Sequence, residues 1–151
     1  MAVDTIARTH RAVVGVDGSA ASRAALHWAA GMAESTGAAV VAVATWEWPR
    51  GFGQGVVIPD GYDPAADART LVHTAVDEAR ALHPTVEFVP LVVEGRAADV
   101  LVEASRGADL LAVGSRRHGE VAGLLLGSVS EHCATHAHSP VLVFRDRPSP
   151  G

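Results

Sequence analysis

Gly114-Ser-Arg-Arg-His-Gly-Glu-Val-Ala-Gly-Leu-Leu-Leu-Gly-Ser-Val129 crowds glycines, hydroxyls and basic side chains into one stretch of the chain. Apolar segments flank it. Asp109 to Val113 is short enough for a buried strand, and Ser128 to His138 has the spacing of a helix. A strand that feeds a glycine-rich loop and then a helix N-terminus presents backbone N–H groups to an anion, so the stretch is predicted to hold phosphate. Ser128-Val129-Ser130-Glu131 reads as a capping box that starts the last helix at Ser128, with the positive end of the helix dipole beside Gly127. Gly127 allows close approach of a ligand to the backbone, Ser115 and Ser128 offer hydroxyls, and Arg116, Arg117 and His118 supply local positive charge.

Working outward, the apolar run Ala12 to Val16 is the first strand and ends in the turn cluster Asp17-Gly18-Ser19. Ser19 is the expected N-cap of a helix on which Ala25, Trp28, Ala29 and Met32 form the apolar stripe, and Gly37 stops it. Ala38 to Thr45 is a valine-rich run of the kind found in a strand covered on both faces. Trp46 to Tyr62 is a long loop rich in Pro, Gly and aromatic residues. Asp63-Pro64 then opens a second helix with Ala68, Leu71, Val72, Ala75, Ala79 and Leu82 facing inward, ending before Pro84. Val86 to Val93 is a third strand, placed at a sheet edge because Pro90 cannot donate to a ladder. A short helix follows Gly95, Gly107 ends it, Ala108 to Val113 is the fourth strand, and Val141 to Phe144 is the fifth.

This alternation predicts an α/β fold, an open five-stranded parallel sheet with helices on both faces. If the winding direction reverses after the third strand, the order is 3-2-1-4-5. Asp17 and Gly114 then face one another across the crevice at the switch point, where such sheets bind ligands. The expected boundaries are a loose N-terminal arm over residues 1–10, one domain over 11–145 and a frayed tail over 146–151.

Composition narrows the function. With 151 residues the chain fits one domain. A net charge of -5 disfavours a nucleic-acid or anionic-membrane surface, so any anion is held locally. One cysteine, Cys133, cannot form an internal disulfide, and no apolar run approaches the roughly 20 residues of a membrane helix; both fit a cytoplasmic protein. There is no Gly-x-x-x-x-Gly-Lys-Ser/Thr, and Gly15-Val16-Asp17-Gly18-Ser19 lacks the dinucleotide pattern Gly-x-Gly-x-x-Gly. A phospho-acceptor receiver is disfavoured too, since it needs an acidic cluster near Asp17 and a late lysine, and all 12 basic residues are arginine. His132 and His136 have the i, i+4 spacing of a metal pair, but no carboxylate completes a zinc helix, so no metal site is expected. Trp46, Trp48 and Phe52 could form a lid over the crevice or pack on a neighbouring helix or a dimer partner.

These residues together resemble the universal stress protein family. The similarity runs from Val13-Val14-Gly15-Val16-Asp17-Gly18-Ser19, through Gly107-Ala108-Asp109-Leu110-Leu111-Ala112-Val113-Gly114-Ser115, to Leu126-Gly127-Ser128-Val129-Ser130 and Ser139-Pro140-Val141-Leu142-Val143. The resemblance implies the 3-2-1-4-5 sheet, homodimers paired through the fifth strand, and in one branch ATP bound as a regulatory or sensing ligand in stress response. It implies adenine near Val16, Asp17, Thr45 and Val113, ribose near Gly114 and Asp17, and phosphates on Ser115, Gly127, Ser128 and Val129, with magnesium bridging them. The ATP-binding branch carries Gly-x-x-Gly, nine residues, then Gly-Ser/Thr. Here Arg117 stands at the second glycine, where its side chain either obstructs the loop or holds phosphate. No catalytic residue is expected, and any hydrolysis should be slow. The alternatives are a dimer that binds no nucleotide and acts as an interaction or chaperone-like module, and a slow ATPase or phosphotransfer protein.

Overall fold

A computed structural model gives the fold and describes residues 10–49, 55, 57–115 and 126–145. The elements are β1 (Arg11–Gly15), α1 (Ala20–Thr36), β2 (Ala39–Trp46), α2 (Pro64–Leu82), β3 (Phe88–Glu94), α3 (Ala97–Ala104), β4 (Leu110–Ser115), α4 (Ser128–His136) and β5 (Val141–Arg145). The sheet has the order β3-β2-β1-β4-β5, as the sequence predicts, and every neighbouring pair is parallel. Its register places Val14 beside Ala42 on one side and Ala112 on the other. Pro90 sits in β3, an edge strand, opposite Ala42.

Side-chain alternation divides the core in two. Ala12, Val14, Val40, Ala42, Ala44 and Ala112 face α1 and α2, whereas Val13, Val41, Val43, Leu111 and Val113 face α3 and α4. The first face is dominated by alanine, and α1 answers it with Ala25, Ala29, Ala30 and Ala33, so helix and sheet approach closely. Leu26 is fully buried among them, and burying a side chain of this size contributes about 1.5–3 kcal/mol. The stripe of α1 is therefore rotated from the one expected: Trp28 is 46% exposed and leans on Phe144, their ring centroids 6.3 Å apart. On α2 the inward residues are Ala68, Val72, Val76 and Ala79, while Leu82 is exposed.

Helix ends follow local chemistry. Ser19 caps α1 by accepting from the Ser22 N–H, and Gly37 ends it in the left-handed region at φ 74°. Asp63 caps α2 through the Ala66 N–H, with Pro64 in the first turn. β4 runs two residues further than the apolar run, so Gly114 and Ser115 end the strand rather than open the loop.

Gly114 is a packing glycine. A Cβ there would lie 2.6 Å from the Ser22 nitrogen and 2.9 Å from the Ala21 carbonyl carbon, both backbone atoms of the first turn of α1. Gly31, in the middle of α1, has open space around the same position. Gly114→Ala should therefore destabilise the fold by about 1–3 kcal/mol. Gly31→Ala should stabilise it by about 0.4–1 kcal/mol. Urea unfolding of the two variants beside the parent measures both.

Candidate functional site

The carboxyl ends of β1 and β4 part at the switch point of the sheet, and a turn fills one side of the gap. Val16 stays tied to β2 through its N–H to the Val43 carbonyl at 2.8 Å. The turn is then locked by its own hydroxyls and carboxylate: Ser19 N–H donates to Asp17 Oδ1 at 2.9 Å, and Asp17 N–H donates to Ser22 Oγ at 3.3 Å. Gly18 at φ 83° supplies the left-handed residue that lets the chain reverse into α1.

A cavity of about 170 Å³ opens beside this turn. Gly15, Val16, Asp17, Val43 and Thr45 line it from β1, β2 and the turn, and Val113 and Gly114 from β4. Ala97 and Leu101 of α3 close its apolar side, and Gly127, Ser128, Val129 and Ser130 of α4 bring polar backbone to its other side. Eight of the sequence-predicted residues, Val16, Asp17, Thr45, Val113, Gly114, Gly127, Ser128 and Val129, are thus brought to one cavity. Arg117, like Arg116 and His118, lies outside the described residues. Gly15, Val43, Ala97, Leu101 and Ser130 were not singled out. The first two belong to strands already read as core, and nothing in their spacing marks a wall residue. The sequence does place Ala97 and Leu101 on a short helix after Gly95, but not its approach to the switch point.

Ser115 is placed differently from expectation. It is 1% exposed and stands behind the wall, where its Oγ accepts the Gly127 N–H at 2.8 Å. Ser130 Oγ, equally buried, lies 3.3 Å from Ser115 Oγ and 3.1 Å from the Gly127 carbonyl. The capping box does not form: Gly127, at φ -71° and ψ 167°, is the N-cap, Ser128 is the first helical residue, and no side chain caps α4. The N-cap N–H is already taken by Ser115. The first-turn N–H groups of Ser128, Val129 and Ser130 have no partner within the helix and carry the positive end of its dipole.

A second cavity of about 190 Å³ lies on the opposite face between α1 and α2 and shares Val16. Its charged groups, Arg23 and Glu78, pair with each other at 3.6 Å. Only the first cavity combines an apolar wall with a helix N-terminus at the switch point, and it is the candidate site.

The other groups noted in the sequence are accounted for locally. His132 Nε2 is 3.7 Å from Asp99 Oδ1, and its ring centroid is 4.5 Å from that of His136. Among the described residues no group of three or more His, Cys, Asp and Glu side chains could hold a metal ion. Trp48 packs edge-on against Trp46 and at a tilt against Tyr62, with ring centroids 5.8 and 6.2 Å apart, and none of the three lines the cavity; Phe52 lies outside the described residues.

An open parallel sheet of order β3-β2-β1-β4-β5, with a cavity at its switch point and a helix N-terminus on one lip, defines a doubly wound, Rossmann-like α/β protein. More narrowly, the chain belongs to the universal stress protein family, whose model matches residues 8–145. It is 35% identical over 143 residues to universal stress protein Rv2623 of Mycobacterium tuberculosis, covering 89% of this chain and 44% of that protein. The chain thus spans about half the length of the curated relatives it matches. A crystal structure of a universal stress protein in complex with cAMP superposes with a TM-score of 0.70 at 28% identity, covering 91% of this chain and 98% of that one. The universal stress protein from Archaeoglobus fulgidus in complex with dAMP, at 24% identity, shares the fold with a TM-score of 0.66, covering 89% of this chain and 97% of that one. No helix among the described residues is long and apolar enough to cross a membrane.

Cys133 packs under the site, fully buried among Leu101, Val113 and Val129. Burial pushes its thiol up to about 11 from an ordinary value of 9.0. The unfolded thiol ionises first, so stability contributed by the neutral buried form is complete below about pH 9 and is lost as pH rises through about 11. At pH 8 a disulfide reagent should label native Cys133 at least tenfold more slowly than the urea-unfolded chain. Equal rates would show an accessible thiol.

Proposed function

We propose that the cavity binds an adenine nucleotide as a regulatory or sensing ligand in stress response, with ATP and magnesium as its physiological form. The observation that carries this reading is the pairing of an apolar slot, walled by Val43, Ala97, Leu101 and Val113, with the N-terminus of α4 on one side. A purine ring fits the first and a phosphate the second. The structural relative that holds cAMP, at 28% identity over nearly its whole length, supports an adenine nucleotide here. Magnesium in this reading rides on the phosphate oxygens rather than in a protein cage. Adenine then rests near Val16, Asp17, Thr45 and Val113, ribose near Asp17 and Gly114, and phosphate beside Gly127 on the backbone N–H groups of Ser128 and Val129, since the Gly127 N–H is held by Ser115.

The role is binding rather than turnover, and the place of action is the cytoplasm. Asp17 is the carboxylate that lines the cavity, and it already accepts the Ser19 N–H within its turn.

The protein acts as a homodimer through β5. Val141, Leu142, Val143 and Phe144 form an apolar edge strand whose faces are only half covered by helices. The curated relatives, about twice as long, have the chain length of two such units. An apolar edge of this kind is stabilised by pairing with a second copy.

Calorimetric titration with ATP and magnesium, and with AMP, should show saturable binding; heat absent at millimolar nucleotide would remove the reading. Ala97→Phe, which fills the apolar slot, should weaken binding at least tenfold while leaving the far-ultraviolet circular dichroism unchanged. Sedimentation velocity should show a dimer that Val143→Arg converts to monomer. A monomer at every concentration of the parent chain would contradict the β5 pairing.

A further inference from the structure

We propose that Ser115 is the positioning residue of the phosphate side of the cavity: it does not touch the ligand but sets which backbone N–H groups do. This inference rests on the nucleotide reading above. Ser115 ends β4, and its Oγ reaches across to accept the N–H of Gly127, the N-cap of α4, at 2.8 Å. Ser130, one helical turn into α4, returns its hydroxyl toward the same oxygen and the Gly127 carbonyl. Both serines are 1% exposed. Strand end and helix start are therefore fastened to each other from behind the cavity wall.

The consequence for a ligand is geometric. A helix start leaves the N–H groups of its cap and first turn without internal partners. Ser115 satisfies the cap N–H internally, so the N–H groups of Ser128, Val129 and Ser130 are the ones that remain for an anion. Fixing Gly127 against β4 also fixes their direction relative to Val113 and Gly114, which line the same cavity from the strand. A phosphate attached to a base in the slot must meet these donors at a set distance and angle, because hydrogen bonds weaken steeply off line. A ligand without phosphate makes no use of that alignment.

The test compares AMP with adenosine on the full chain and on Ser115→Ala, by calorimetry. Ser115→Ala should weaken AMP about tenfold, equivalent to about 1.4 kcal/mol, and leave adenosine affinity unchanged. Equal losses for both, or no loss for either, would overturn the proposal, the first because it marks a general collapse of the cavity. If Ser115→Ala does not fold, the near-isosteric Ser115→Cys, whose sulfur is a weaker acceptor, carries the same comparison, with AMP weakened about threefold and adenosine unaffected. Amide hydrogen exchange at Gly127 provides a readout that needs no nucleotide. It should speed at least tenfold in Ser115→Ala, and unchanged exchange would contradict the clasp. If the parent chain binds neither ligand while Gly127 exchange does speed up, the nucleotide reading fails and the clasp stands.

Discussion

Gly114 meets the first turn of α1 so closely that no side chain fits between them, and much of the molecule follows from that contact. β4 can lie beside β1 only if its end slides under Ala21 and Ser22. The same turn of α1 is where Ser22 grips Asp17 and Ser19, so the strand and the Asp17 turn are positioned by one set of atoms. The two lips of the crevice are thus fixed relative to each other by packing before any ligand arrives. Gly114 is accordingly valuable for the helix behind it, and its openness toward the cavity is a secondary result.

A second constraint is how α4 begins. Most helices satisfy their first N–H groups with a side chain from the cap residue itself, as Ser19 and Asp63 do here for α1 and α2. α4 instead starts at Gly127, which has no side chain to offer. The hydroxyl comes from β4, through Ser115, and reaches only the cap N–H. Of the four helices, α1 and α2 close their own starts, whereas α3 and α4 begin without a side-chain cap and both begin at the cavity, through Ala97 and through Ser128 to Ser130, the setting that suits an anion.

Much of this was legible in the sequence because the signals were local and physical. Strand runs, the Ser19, Asp63 and Gly37 caps, and the edge placement of Pro90 follow from periodicity and turn chemistry, and the observed elements agree within a few residues. The rotation of the α1 stripe was not legible. Alanine dominates the helix, so Trp28 looks like the obvious inward residue until the sheet beneath proves too tightly packed to take it. Ser115 was expected at the cavity for a related reason, and Ser128, which does line it, was expected one position too early in the cap. Spacing shows hydroxyls near a helix start but not which of them points into the protein; a serine ending a strand buries its side chain on alternate positions, and Ser115 falls on the buried one. The walls from α3 escaped notice because Ala97 and Leu101 carry no polar signal.

Backbone amide chemical shifts under titration with AMP test the central claim most directly, because they report each wall of the cavity separately. Binding at the switch point predicts saturable shifts at Gly15, Asp17, Gly114 and the Gly127 to Ser130 run, with Leu71 and Thr74, in the cavity on the opposite face, far less affected. Shifts concentrated at Leu71 and Thr74, or none at saturating AMP, would contradict it.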